Sequence, residues 1–205
     1  MTPPPTHPAF FANFMNAAST QPATVLVRDA TAADMAAITE IYVPYVLHGL
    51  ATFEEIPPSE ADMRTRREAV LALGLPYLVA ELDGQVAGYA YATHYRPRPA
   101  YRYTIEDSIY VRQGLHGHGL GTLLLRSLIE RCEKGPWRQM LAVIGDSANA
   151  GSIALHRRLG FTPGGTQHAV GFKLGRWIDT VQMQRPLGAG GTTLPDAAPA
   201  PAGTH

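Results

Sequence analysis

The chain has 205 residues, 45% of them hydrophobic, and its 17 Lys plus Arg equal its 17 Asp plus Glu, a composition that suits one globular domain. Zero formal net charge excludes a global field for nucleic acid or an anionic membrane, so any anion is recognised locally and a small-molecule substrate is expected. Cys132 is alone, which excludes an internal disulfide, and no apolar run reaches the length of a bilayer span, so a soluble protein of the reducing cytoplasm is expected.

Residues 1–24 are rich in Pro, Ala, Thr and Asn and lack both a basic start and a long apolar stretch, so they read as a disordered tail and a poor signal peptide. Residues 188–205, built from Gly, Pro, Ala and Thr, read as a second tail, leaving 25–187 as the folded domain. Val25 to Val27 suggests a short strand. Thr31 and Asp34 form a capping-box pattern ahead of a helix with Met35, Ile38, Ile41 and Tyr45 on one face, which Pro44 is expected to kink or stop. Ser59 and Asp62 announce a second helix carrying Met63, Val70 and Leu73 and ending at Gly74.

Tyr77 to Glu81 and Val86 to Tyr95 flank Asp83-Gly84, a dipeptide suited to the positive φ angles of a tight hairpin. Thr104 to Val111 reads as a third strand of this group, with Ile105, Asp107, Ile109 and Val111 on one face and Thr104, Glu106, Ser108 and Tyr110 on the other. Leu120, Leu124, Leu128 and Cys132 recur at helical spacing over Leu120 to Lys134, and Gly135-Pro136 stops them; Cys132 therefore reads as a buried thiol. Met140 to Ile144 suggests a buried strand, Asn149 to Leu159 a helix closed by Gly160, and Phe161 to Gln167 and Trp177 to Gln184 two late strands. The order β-α-α-β-β-β-α-β-α-β-β predicts an α/β (α+β) domain around a mixed, mostly antiparallel sheet.

Between the third strand and its helix lies Val111-Arg112-Gln113-Gly114-Leu115-His116-Gly117-His118-Gly119-Leu120-Gly121-Thr122. A strand-to-helix loop of this kind offers unpaired N–H groups and the positive end of the helix dipole to an anion. A Walker loop is excluded because Leu120 follows Gly119, and the dinucleotide fingerprint by its wider last glycine spacing. His116 and His118 lack the Cys or carboxylate companions of a metal site, so no metal is expected. On spacing alone the loop is equally an ordinary turn that uses glycine for geometry.

The run His116-Gly117-His118-Gly119-Leu120-Gly121 resembles the acyl-CoA signature of the GNAT N-acetyltransferases, except that His116 stands where the family has Gln or Arg. Further stretches resemble the phosphinothricin and methionine sulfone acetyltransferase branch: Ala51-Thr52-Phe53-Glu54-Glu55, Arg96-Pro97-Arg98-Pro99-Ala100-Tyr101-Arg102, Glu106-Asp107-Ser108-Ile109-Tyr110-Val111, Ala142-Val143-Ile144-Gly145-Asp146-Ser147 and Gly171-Phe172-Lys173-Leu174-Gly175-Arg176-Trp177. The resemblance implies a GNAT fold, acetyl-CoA as co-substrate and a homodimer. It implies that Ile109, Tyr110 and Val111 line the pantetheine arm, that His116 to Thr122 (His116, Gly117, His118, Gly119, Leu120, Gly121, Thr122) hold the pyrophosphate, and that Asn149 contacts CoA.

Acetyl transfer to an amine needs a base, stabilisation of an oxyanion and a proton for the departing thiolate. Glu106, a carboxylate in an otherwise apolar strand, is either a base whose pKa burial raises or a structural Glu paired with an Arg; the family's corresponding Glu is catalytic. Asp107 points to the opposite face, so the two do not form an acid and base pair. His156 stands where many GNAT enzymes have a Tyr acid, though a lone helical His is more often structural. Arg96, Arg98 and Tyr101 suit a clamp on an anionic substrate or plain surface charge, with Thr52, Phe53 and Lys173 completing the substrate wall. The resemblance favours acetylation of a small amino-acid-like amine of the phosphinothricin, methionine sulfone or methionine sulfoximine class in a ternary complex. Acetylation of protein N-termini or other amines, and CoA binding without turnover, are the alternatives.

Overall fold

The Asp83-Gly84 turn sets the middle of the sheet. In the computed structural model, which describes residues 24–195, both residues have positive φ, 51° and 79°. They join β2 (Tyr77–Leu82) to β3 (Gln85–His94) as an antiparallel hairpin. β1 (Val25–Asp29) pairs outside β2, and β4 (Thr104–Val111) pairs with β3 from His94 opposite Ile105 to Gly88 opposite Val111. On the far side β5 (Gln139–Gly145) lies between β4 and β7 (Arg176–Pro186), and β6 (Thr162–Lys173) forms the other edge. The order is β1-β2-β3-β4-β5-β7-β6, and only β4 and β5 are parallel neighbours.

Strand alternation sorts the helices. Tyr110 meets Tyr42 and Tyr45 of α1 (Met35–His48) edge-on at 4.9 and 5.1 Å, so the face bearing Glu106, Ser108 and Tyr110 lies under α1 and α2 (Glu60–Ala72). Ile109 and Val111 instead approach Gly121 of α3 (Leu120–Cys132), so the Asp107 face lies under α3 and α4 (Ala150–Arg158). The core fills both layers: Leu120, Leu124, Leu125 and Leu128 on one side, Met35, Ile38 and Ile41 on the other, all essentially inaccessible. Tyr77, Tyr91, Tyr89 and Tyr110 stack across β2, β3 and β4 beneath α1.

Four sequence expectations are corrected. Pro44 does not end α1, which continues to His48; the carbonyl it deprives of a partner is that of Glu40, an exposed residue that water can serve. The Thr31–Asp34 capping box forms, but it opens a single 3-10 turn over Ala32–Asp34 before α1 begins. Leu73, placed on the buried face of the second helix, is 42% exposed beyond that helix's last turn. β6 runs six residues past Gln167. Its register slips at Pro163/Gly165 and again at Gln167/Gly171, and nearly all its residues are exposed, so no two-residue hydrophobic period marks it. The expected tails fall largely at 1–23 and 196–205, outside the described residues. Residues 188–195 are described, and there Arg138 donates to the carbonyls of Thr193 and Leu194.

Candidate active site

The site begins where a ladder stops. β4 and β5 pair only from Thr104 opposite Gln139 to Asp107 opposite Ala142. Beyond that point β4 keeps pairing with β3 and β5 with β7, and the two strands part. Their separated ends wall a cleft of about 680 Å³ that is closed by α4 and by the loop before α3. Ile109, Tyr110 and Val111 form one wall, and Ala142, Val143, Ile144 and Gly145 the other. Val111 turns both its N–H and its carbonyl away from β3 and toward the Tyr45 hydroxyl, at 3.2 and 2.5 Å, so by alternation the backbone groups of Ile109 also face the cleft.

The loop folds as its glycines require: Gly114, Gly117 and Gly119 have φ of 82°, 83° and 80°. Gly119 is the N-cap of α3 and has no side chain to cap with, so the N–H groups of Leu120, Gly121 and Thr122 emerge uncapped at the positive end of the helix. His116, Gly117, Gly119, Gly121 and Thr122 line the cleft, and Asn149 lines it from the start of α4, where its side chain accepts from the Ser152 N–H. One expected contact lies elsewhere, at His118, while Leu120 offers only its N–H to the cleft. The Leu120 side chain is buried in the core, and His118 turns back on the His116 carbonyl, 3.0 Å from its Nδ1. The His116 ring, in place of the family's Gln or Arg, braces Tyr45 with its Nε2 2.9 Å from the hydroxyl. Since that hydroxyl donates to the Val111 carbonyl, His116 is the donor in this bond.

Glu106 and Asp107 sit at the fork, on opposite faces as alternation requires. Burial, reinforced by the neighbouring Asp107 charge and only partly offset by Arg96, pushes Glu106 up to about 7. A carboxyl in that range is ionised often enough to accept a proton near neutrality and basic enough to keep it. Asp107 is engaged with His156: Oδ2 lies 3.0 Å from Nε2, and both side chains are 2% exposed. The other ring nitrogen, Nδ1, donates to the Ser152 carbonyl at 2.8 Å and lies 3.4 Å from the Ser152 hydroxyl. Burial opposes a charge on His156, but the Asp107 carboxylate outweighs it and the pKa is raised. The carboxylate's second oxygen, Oδ1, is buried without a partner among the described residues.

The residues expected to hold substrate do not all converge. Thr52 lines the cleft, its hydroxyl fixed 2.8 Å from that of Tyr42. Phe53 is 41% exposed, with its ring packed over Gly171 of β6. Arg96 is close enough to act on Glu106, and its guanidinium lies 4.9 Å from the centre of the Tyr95 ring. Arg98 and Tyr101 belong to an exposed turn around Pro99–Tyr101 and do not line the cleft. Lys173 is corrected more sharply: it is 2% exposed, and its ammonium donates to the Tyr45 and Thr52 carbonyls, at 3.1 and 2.8 Å, so it fastens the end of α1 to the following loop. Tyr45 and Ser152 are cleft residues that the sequence did not reveal. Tyr45 follows a helical apolar period and reads as core, and Ser152 carries no signal beyond its distance from the Asn149 cap. Among the described residues no three His, Cys, Asp or Glu side chains are grouped to hold a metal ion.

Comparison with known proteins gives this cleft its context. The profile of the Acetyltransferase (GNAT) family matches residues 36–161. A phosphinothricin N-acetyltransferase of Alcaligenes faecalis is 59% identical over 163 residues, covering 80% of this chain and 83% of that protein. An L-methionine sulfoximine/L-methionine sulfone acetyltransferase of Pseudomonas paraeruginosa is 43% identical over 159 residues, covering 77% and 92%. The crystal structure of a GNAT superfamily phosphinothricin acetyltransferase from Sinorhizobium meliloti, in complex with AcCoA, is similar with a TM-score of 0.82 and 51% identity, covering 87% of this chain and 96% of that one. The family match spans the forked strands, the uncapped glycine loop and α4 together, and this chain is an acetyltransferase of the GNAT family.

Proposed function

We propose that the protein transfers an acetyl group from acetyl-CoA to the amine of a small amino-acid-like substrate of the phosphinothricin, methionine sulfone or methionine sulfoximine class, by direct attack in a ternary complex. The observation that carries this is Glu106: a carboxyl whose pKa burial raises to about 7, lining the cleft at the fork of β4 and β5. The cleft fits the co-substrate chemically. The uncapped N–H groups at the start of α3 suit a pyrophosphate, and the open backbone edge at Ile109 suits an amide-bearing arm. His116, Gly117, Gly119, Gly121, Thr122 and Asn149 would hold that group, which supplies a thioester carbonyl.

The chain's own residues then divide the proton work. Glu106 takes the proton from the amine, directly or through water, and Asp107 with His156 forms the acid side across the strand. Thr52 borders the amine's approach, and Arg96, which acts electrostatically on Glu106 from outside the cleft lining, is the cation for an anionic substrate group. The names of the relatives at 59% and 43% identity support this substrate class. A homodimer and a cytoplasmic location belong to the same proposal. The dimer gains support from Val170, Phe172, Leu174 and Trp177, large apolar side chains each more than half exposed around the tip of the β6–β7 hairpin.

Thiol release from acetyl-CoA across a panel of phosphinothricin, methionine sulfone, methionine sulfoximine and short peptides tests the proposal. Turnover on the small amines is expected. Turnover on peptides alone overturns the substrate class, and CoA binding without turnover on any amine overturns the catalytic role of the cleft.

A further inference from the structure

A buried ion pair presents a difficulty as an acid. Both ring protons of a charged His156 are committed, Nε2–H to Asp107 and Nδ1–H to the Ser152 carbonyl, and the side chain is 2% exposed. Direct donation to a departing sulfur would require the ring to leave its bonds. The Ser152 hydroxyl has no such constraint. It lies one helical turn before His156, 3.4 Å from Nδ1, and Ser152 lines the cleft. We propose that Ser152 hands the proton to the departing thiolate, with His156 as its proton reservoir and Asp107 as the counter-ion that keeps His156 charged. This rests on the acetyl-transfer reading above and assigns one further residue to it.

The step balances. As the amine attacks, the bond between the acetyl carbon and sulfur breaks and sulfur keeps the electron pair. The Ser152 hydroxyl proton passes to sulfur, and the Ser152 oxygen takes the Nδ1 proton of the imidazolium. Nδ1–H leaves the Ser152 carbonyl for the hydroxyl as the ring tilts about its Asp107 bond, and the neutral ring then accepts from the re-protonated Ser152 hydroxyl with its Nε2–H still on Asp107, so the ion pair becomes an ordinary hydrogen bond. The amine's own proton leaves through Glu106, and solvent recharges His156 before the next turnover. The unpartnered Oδ1 of Asp107 fits this role, since no other described donor draws on that carboxylate and its countercharge is left to His156. Ser152 is the proton-delivering group, and Asp107 and His156 are positioning residues behind it.

The test is Ser152→Ala, with the transfer step isolated by single-turnover rates from pH 6 to 9.5. The relay needs a charged His156, whose pKa Asp107 raises, so it operates at low pH and is lost in the parent as pH rises through that pKa. The variant should be slower by about 100-fold at pH 6.5, and the deficit should shrink to a few-fold at pH 9.5. Acetyl-CoA affinity and the KM for the amine should stay within twofold, and Ser152→Thr should restore most of the rate. Asp107→Asn should show the same pH-dependent deficit. The neighbouring titratable groups are Glu106 beside Asp107, Cys132 on α3, whose thiol burial pushes up to about 12, and Arg157 and Arg158 on α4 itself. The Glu106 limb is common to the parent and Ser152→Ala and cancels in their ratio, whereas in Asp107→Asn it moves to lower pH because the Asp107 charge no longer raises Glu106. A deficit independent of pH, a change confined to KM, or a variant within twofold of the parent at pH 6.5 overturns the proposal. If the Ala variant does not fold, Ser152→Gly removes the same hydroxyl and carries the same comparison, with the same outcomes deciding it. An unaltered protein that acetylates no amine overturns the acetyl-transfer reading instead, and is recognised before any variant is made.

Discussion

Replacing Glu106 by Gln should slow the enzyme and stabilise it, with both effects arising from the same buried charge. Folding raises the Glu106 pKa from its ordinary 4.5 to about 7, so between those values the folded protein holds a proton that the unfolded chain has lost. Stability contributed by that proton is present in full below pH 4.5 and drains away as pH rises through 7. Above 7 the folded protein carries the carboxylate at its full cost, roughly 3 kcal/mol at about 1.4 kcal/mol per tenfold change in proton affinity. Gln has nearly the same shape and no charge. At pH 8 the variant should therefore melt higher, by about 2 to 4 °C for each kcal/mol recovered, and at pH 4.5 the gain should vanish. Turnover should fall by at least about 100-fold, the usual contribution of a positioned base, with acetyl-CoA affinity unchanged. Differential scanning calorimetry at the two pH values, paired with thiol-release kinetics, reads both. A variant that melts lower at pH 8, or by the same amount at both pH values, would refute the assignment of the charge cost to Glu106.

In the parent enzyme kcat/KM should fall on the acid side with an apparent pKa near 7, because the free enzyme's base must be ionised; a plateau extending to pH 5.5 in the pH–rate profile counts against Glu106. Lys173→Met should lower the urea midpoint by the equivalent of about 2 kcal/mol, since it leaves two part-buried carbonyls without their donor. If urea unfolding shows no change, the ammonium is not what ties Tyr45 to Thr52. Gly171→Ala should cost about 1 to 3 kcal/mol, because a methyl group there overlaps the Phe53 ring. Thermal melts together with the KM for the amine show whether Phe53 moves with it.

The N-terminal half of the fold was largely legible because its signals are local. A two-residue turn with positive φ, a four-residue capping box and a strict alternation over Thr104–Val111 each declare themselves within a few positions. β6 was not, because two register slips and an exposed surface erase its period. The same division applies to the site. Glu106 and the glycine loop stand out by composition, since a charge in an apolar strand and glycines before a helix are visible without neighbours. The partnership of Asp107 with His156 spans 49 residues and that of Lys173 with Tyr45 spans 128, and no spacing rule reaches so far. Lys173 in particular reads as a surface cation until the fold buries it against two carbonyls.

The short parallel ladder between β4 and β5 has a consequence for how the protein becomes active. The two strands belong to separate antiparallel groups, β1 to β4 and β5 to β7, held edge to edge by only four residue pairs. Glu106 and Asp107 come from the first group, while Ser152 and His156 come from the helix that follows β5. Neither group alone has a cleft, and neither contains both halves of the proton machinery. Because the Asp107–His156 contact joins residues 49 apart, it carries a loop-closure cost that neither group meets alone. Activity therefore requires the completed assembly, and a chain stopped between β4 and β5 lacks Ser152 and His156 altogether.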